Sequence, residues 1–187
     1  MPEVKGVLIL GRLEILKDRY GEQAVEAAIP KLNPDDRSVL SAKFLPSSWY
    51  PYEVLRVIDR LTRHIPPEKG RLGSLEVGQA MAQYVCSGVY KSMVVHDPLK
   101  QVGRICWVGD MLYRNYRRCE TAMTGDGSCV VTYAYEEGAV PTPGMCKSTT
   151  GFLMRLMELA GAKAVSGVHE RCVNKGAKVC EFRLRWS

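Results

Sequence analysis

Four residues near the end of the chain have the types and spacing to hold a metal ion: Cys146, His169, Cys172 and Cys180. The last three read His-x2-Cys-x7-Cys, and Cys146 stands 23 residues before the histidine. Thiolate sulfur and imidazole nitrogen are preferred zinc ligands, and zinc takes four of them in a tetrahedral array. Three cysteines and one histidine close such a site completely, which suits a structural ion rather than a catalytic one. The alternative is that these are ordinary core cysteines, since free cysteine is among the most buried residue types. Cys172 and Cys180, on adjoining strands, are also placed to pair under oxidation, which the cytosol disfavours.

The elements that must position these residues are legible in the last third of the chain. Cys129-Val130-Val131-Thr132-Tyr133-Ala134-Tyr135 is rich in β-branched and aromatic residues, and Gly125-Asp126-Gly127 precedes it as a turn. This predicts a hairpin with residues 117–124. A helix follows from Thr149 to Leu159, with Phe152, Leu153, Leu156, Met157 and Ala160 as its apolar face and Gly161 as its stop. Ala164–Val173 and Lys178–Trp186 then read as strands joined by a turn at Gly176. In the last strand Cys180, Phe182, Leu184 and Trp186 alternate with Glu181, Arg183 and Arg185, the pattern of a half-buried antiparallel strand. Residues three apart in a regular strand point to opposite faces. His169 and Cys172 can therefore serve one ion only if the strand ends or bulges near Arg171.

Upstream the periodicity is helical. Val7–Leu10 is too short to assign to strand or helix. One helical pattern runs through Leu13, Leu16 and Tyr20 to Gly21, and a second through Val25, Ala28, Ile29 and Leu32 to Asn33-Pro34. Ser47-Ser48 offer caps for a clearer helix with Pro51 in its first turn and the stripe Val54, Ile58, Leu61, Ile65, ended by Pro66-Pro67. Ser74 opens another helix toward Met93, and Asp97-Pro98 one more toward Tyr113. Helices first and strands afterwards predict an α+β fold: N-terminal helices packed on a twisted antiparallel sheet, with one helix inserted between the C-terminal strands. The 187 residues fit a single domain, 1–113 mainly helical and 114–187 carrying the sheet and the Cys/His cluster.

The opening Met1-Pro2-Glu3-Val4-Lys5 lacks the apolar core of a signal peptide, and no apolar run reaches the length of a membrane span. Seven cysteines, an odd number, then argue for reduced thiols and a cytoplasmic setting without membrane insertion. The net charge of +6 is spread along the chain, its densest group being Arg114, Arg117 and Arg118, so the charge does not single out nucleic acid as a partner.

The run from Pro143 to the end (Pro143-x2-Cys146, Gly151, Leu156, Gly161-Ala162, Cys172, Gly176, Cys180-x-Phe182, Trp186) resembles the 4-vinyl reductase-like domain. The superfamily of that domain also includes haem-NO-binding sensors and TRAPP vesicle-tethering subunits. The likeness is greatest to an uncharacterised paralogous family of myxobacterial proteins of similar length, through Lys5-Gly6, Trp49-Tyr50-Pro51 and the Cys180, Phe182, Trp186 ending. In the aromatic-sensing domains of phenol-responsive regulators this fold carries zinc on Cys, Glu, Cys and Cys. Their intervals are those separating Cys146, His169, Cys172 and Cys180, with His169 standing where those domains have Glu. The resemblance also implies an apolar pocket between helices and sheet for a small hydrophobic molecule or an acyl chain, and dimerisation through the helical part. Trp107, Met111, Tyr133 and Tyr135 are the candidate lining residues, with plain core packing as the alternative for each. The phenol-contacting His and Trp of the regulators have no equivalents here, so phenol sensing is not carried over.

No phosphate loop, HExxH, nucleophile elbow or kinase motif is present, and no catalytic residues are assigned. Cys86, Cys106, Cys119 and Cys129 show no pairing pattern, Cys119 alone having cationic neighbours in Arg117 and Arg118. The sequence thus reads as a ligand-binding sensory module with a structural zinc, expected to form a homodimer and to signal through a protein partner it does not reveal. The other classes are a protein–protein adaptor whose pocket is filled by its own side chains, and a thiol switch trading zinc for a disulfide.

Overall fold

The structure is a computed structural model and describes residues 1–66, 70–88, 90–139 and 141–187. Pro67, half of the expected Pro66-Pro67 helix stop, lies outside the described residues. The chain forms two compact units, Met1–Leu72 and Gly73–Ser187. The boundary falls ahead of the two helices that precede the sheet, so these belong with the sheet and not with the N-terminal helices.

In the first unit, β1 (Glu3–Lys5) leads straight into α1 (Gly6–Tyr20), which settles the ambiguity of the Val7–Leu10 run. α2 (Glu22–Ala28) ends in a 3-10 turn, and Asn33 then starts a helix instead of ending one. Its side chain accepts the Asp36 N–H at 2.8 Å, and Pro34 occupies the first turn of α3 (Pro34–Leu40), where a missing N–H costs nothing. β2 (Trp49–Pro51) pairs antiparallel with β1, with Val4 opposite Tyr50. α4 (Glu53–His64) therefore begins after Pro51, not around it, and buries Val54, Val57, Ile58 and Leu61 against α1 and α2.

The second unit opens with α5 (Ser74–Ser87), whose capping contact is Glu76 accepting the Gly73 N–H at 2.7 Å. α6 (Pro98–Leu112) is capped by Asp97, which accepts the N–H groups of Leu99 and Lys100. After the two-residue strand β3 (Tyr113–Arg114), β4 (Arg117–Gly125) and β5 (Ser128–Tyr135) form the predicted hairpin. α7 (Pro143–Leu159) comes next, then β6 (Ser166–Arg171) and β7 (Cys180–Arg185). The sheet order is β4-β5-β7-β6, all antiparallel, with α7 inserted between β5 and β6 as expected of this α+β chain.

α5 and α7 cross at unusually close range. A Cβ built on Gly78 would strike the Ser148 carbonyl, and one on Gly151 would strike the Leu75 carbonyl. Only glycine at both positions lets the two backbones touch. α7 in turn packs on β6 and β7, so this crossing sets the height of α7 over the sheet.

Among the described residues no helix is long and apolar enough to cross a membrane.

Candidate functional site

Cys146 sits in the first turn of α7, on the face that also buries Met145, Leu153 and Leu156. The Thr142 side chain caps this turn by accepting the Met145 N–H at 3.3 Å, with Pro143 behind it, so the helix starts six residues earlier than Thr149. Cys180 is the first residue of β7 and shares its buried face with Phe182 and Leu184.

The geometric difficulty at β6 is resolved by a bulge. His169 pairs with Phe182, but the next pair is Arg171 with Glu181, so Glu170 is extra and the strand kinks. Cys172 then opens a 3-10 turn over Val173–Lys175, closed by Gly176 at φ 88°, a left-handed conformation glycine adopts without penalty. Bulge and turn together bring His169 and Cys172 to one side.

The ligand atoms of Cys146, His169, Cys172 and Cys180 all lie within 4.8 Å of one another. Cys146 Sγ is 4.0 Å from Cys172 Sγ, and Asn174 donates to Cys146 Sγ at 3.7 Å while also holding the Pro141 carbonyl at 2.9 Å. The His169 ring lies on Phe182, and its Nε2 is enclosed with no hydrogen-bond partner. Charge is unevenly shared among the sulfurs. Donation from the Cys146 thiol, which outweighs the penalty of burial, pushes Cys180 down to about 5, helped by the Val173 N–H and by His169. Cys146 is pushed up correspondingly, by that same hydrogen bond and by burial. A thiolate is the form in which cysteine ligates a metal ion.

The other cysteines behave differently. Cys106 and Cys119, expected to be unpaired, form a disulfide that ties α6 to β4 across a Cα–Cα distance of 5.2 Å. Their spacing gave no sign of this, because one lies on a helix and the other on a strand brought beside it by tertiary packing. Five cysteines remain free. Burial raises Cys86 and Cys129 to about 11, so both are inert core thiols.

The four residues expected to line one pocket are not gathered. Trp107 is 41% exposed, with Arg104 stacked over its ring at 4.4 Å, and Met111 is 36% exposed on the same face of α6. The opposite face of α6 supplies the core through Val102, Ile105, Val108 and Leu112. Tyr133 and Tyr135 do lie together on the inner face of β5, 6.5 Å between ring centroids. Opposite Tyr135 stands Arg117, which in the sequence stood out only as a member of the densest basic group. The turn alone does not fix this pairing, because an irregularity between Met123 and Gly125 shifts the register by one. Burial raises the Tyr135 phenol well above its ordinary range, although the Arg117 charge opposes this, so the group stays protonated.

No family model matches the sequence, and no curated protein matches it. Solved structures do share the fold. An H-NOX protein from S. oneidensis in the Fe(II)NO ligation state superimposes with a TM-score of 0.68 at 14% identity, over 98% of this chain and 99% of that one. An Fe(II) unliganded H-NOX protein from K. algicida gives 0.66 at 12%, over 98% and 96%. A doubly substituted variant of Tt H-NOX gives 0.68 at 15%, over 98% and 95%. At such identities the likeness shows the fold, and it agrees with the haem-NO-binding branch of the resemblance drawn from the sequence.

It also corrects the expected zinc. The metal named for the first two of these structures is iron, and a further neighbour, with a TM-score of 0.68 at 14% identity, is described through heme redox potential and porphyrin distortion. The residues of this chain do not fit that group either. A haem iron needs an axial ligand, commonly histidine or a cysteine thiolate. Here His64 and His96 are exposed, His169 faces the three thiols, and Cys86 and Cys129 are held as neutral thiols.

Proposed function

We propose that this chain is a ligand-sensing domain in which Cys146, His169, Cys172 and Cys180 hold a metal ion that fixes α7 to the β6–β7 end of the sheet. One observation carries the reading: four donors from α7, β6, the following turn and β7 converge within 4.8 Å of one another. The enclosed Nε2 of His169, left without a partner, supports it, because a buried polar nitrogen without a hydrogen bond is costly. The donor set of thiolates and imidazole suits a soft or borderline transition-metal ion. Asn174 supplies an outer hydrogen bond to Cys146 of the kind that orients ligands.

The ligand recess in this reading lies on the inner face of β5, at Tyr133 and Tyr135, and takes a small molecule with an apolar body. The 4-vinyl reductase-like pattern of the last 45 residues, Pro143 to Ser187, supports the same class of function. Ligand binding would favour one arrangement of α6 and α7 on the sheet over another, a population shift. The test is multi-element mass spectrometry on the chain purified without added metal or chelator, with native mass spectrometry for any co-purified small molecule. A transition metal in stoichiometric amount, lost in Cys180→Ser, supports the reading. A metal-free chain with three reactive thiols at these positions rejects it.

A further inference from the structure

Arg117 opens β4 with its side chain on the inner face of the sheet, inside a ring of tyrosines. Its guanidinium carbon lies 4.0 Å from the centroid of the Tyr133 ring, 4.6 Å from that of Tyr113 and 5.4 Å from that of Tyr116. Tyr135 completes the ring, set edge-on to Tyr116 at 5.4 Å. Gly109 of α6 roofs it, its missing Cβ falling 3.4 Å from the Arg117 guanidinium.

The ring faces give the cation a favourable surface but accept none of its five N–H donors in the plane of the fork. Among the described residues Arg117 makes no ion pair and its guanidinium makes no hydrogen bond. The neighbouring Arg118 does have an acid, Glu136 at 3.4 Å, but on the outer face. Arg117 as a whole residue is half-buried. The Tyr133 and Tyr135 hydroxyls likewise make no hydrogen bond among the described residues, Tyr135 being half-buried and Tyr133 buried.

We infer that Arg117 anchors the carboxylate of a small aromatic or similarly flat organic acid. The planar fork matches a carboxylate with two parallel hydrogen bonds. The phenol hydroxyls add donors beside it, and the tyrosine faces receive the apolar body. This rests on the ligand-recess reading above and names its ligand class.

The experiment is calorimetric titration of the full chain with benzoate and with benzamide, its neutral isostere. Benzoate should bind saturably, and benzamide at least about tenfold more weakly. Arg117→Lys keeps the charge and loses the fork, so it should weaken benzoate by about tenfold while leaving metal content unchanged. The wild-type comparison decides the matter even if Arg117 variants fold poorly. Equal affinity for the two probes overturns the carboxylate assignment while the recess stands. Binding of neither probe overturns both the assignment and the recess.

Discussion

The imidazole of His169 lies flat on the ring of Phe182, with 4.4 Å between centroids and 7° between planes. Stacking of this kind fixes ring orientation, and here it holds a ring with a ligand nitrogen within 4.8 Å of three sulfurs. Phe182→Leu should keep the strand and its burial but free the imidazole to tilt. Metal affinity, measured by chelator competition, should fall by about tenfold or more. His169→Ala should fall at least as far, and Phe182→Leu matching wild type would show that the stack does not orient the ligand.

The α5–α7 crossing depends on two glycines whose missing side chains let backbone meet backbone. Gly151→Ala places a methyl against the Leu75 carbonyl, where no side-chain rotation relieves the clash. Its thermal denaturation should show a loss of about 1–3 kcal/mol or more. Metal occupancy should drop with it, since α7 carries Cys146. An unchanged melting temperature would mean that the helices separate at little cost.

The Cys106–Cys119 disulfide closes a loop of 13 residues. Chain-entropy arguments give such a cross-link about 3 kcal/mol of stability. The double variant Cys106→Ser/Cys119→Ser should therefore melt at lower temperature than the oxidised chain, and reductant should lower only the latter. Intact-mass analysis under non-reducing conditions checks the pairing itself: the chain should show five alkylatable thiols when unfolded and metal-free, against seven after reduction.

Much of this site could be read from spacing because the metal-ligand pattern is local in each element. The intervals between Cys146, His169, Cys172 and Cys180 and the alternation of Cys180, Phe182 and Leu184 are properties of short segments. A break or bulge near Arg171 was the condition for His169 and Cys172 to share one ion, and the structure has a bulge at Glu170. The face of α6 did not follow. That helix carries apolar residues on several sides, and only packing shows that Val102, Ile105, Val108 and Leu112 turn inward while Trp107 and Met111 stay exposed. The disulfide and the Arg117 ring depend on contacts between separate elements, which local pattern does not encode. The identity of the metal was over-read as well: a thiolate and imidazole set selects softness, not one element.

In the first unit, the Arg60 guanidinium beside Asp36, at 2.7 and 2.8 Å, holds that carboxyl below its usual range against the opposing effect of burial. A depressed carboxylate pKa stabilises the fold above the unfolded value, about 3.9, and the gain is lost as pH falls through the lower folded value. Asp36→Asn should therefore cost about 1–2 kcal/mol at neutral pH, discounted because Arg60 is more than a third exposed. The gap between variant and wild type should close as melts are taken below about pH 4. A gap that stays constant down to strong acid would remove the pair from the stability of this unit.

In the proposed arrangement four side chains from separate elements hold one ion. Elemental analysis of the full chain, purified without metal or chelator and compared with Cys146→Ser and Cys180→Ser, tests it most directly. The account predicts about one transition-metal ion per wild-type chain, and little or none in either variant while both remain folded. A wild-type chain without metal, in which Cys146, Cys172 and Cys180 all titrate as free thiols, would contradict it.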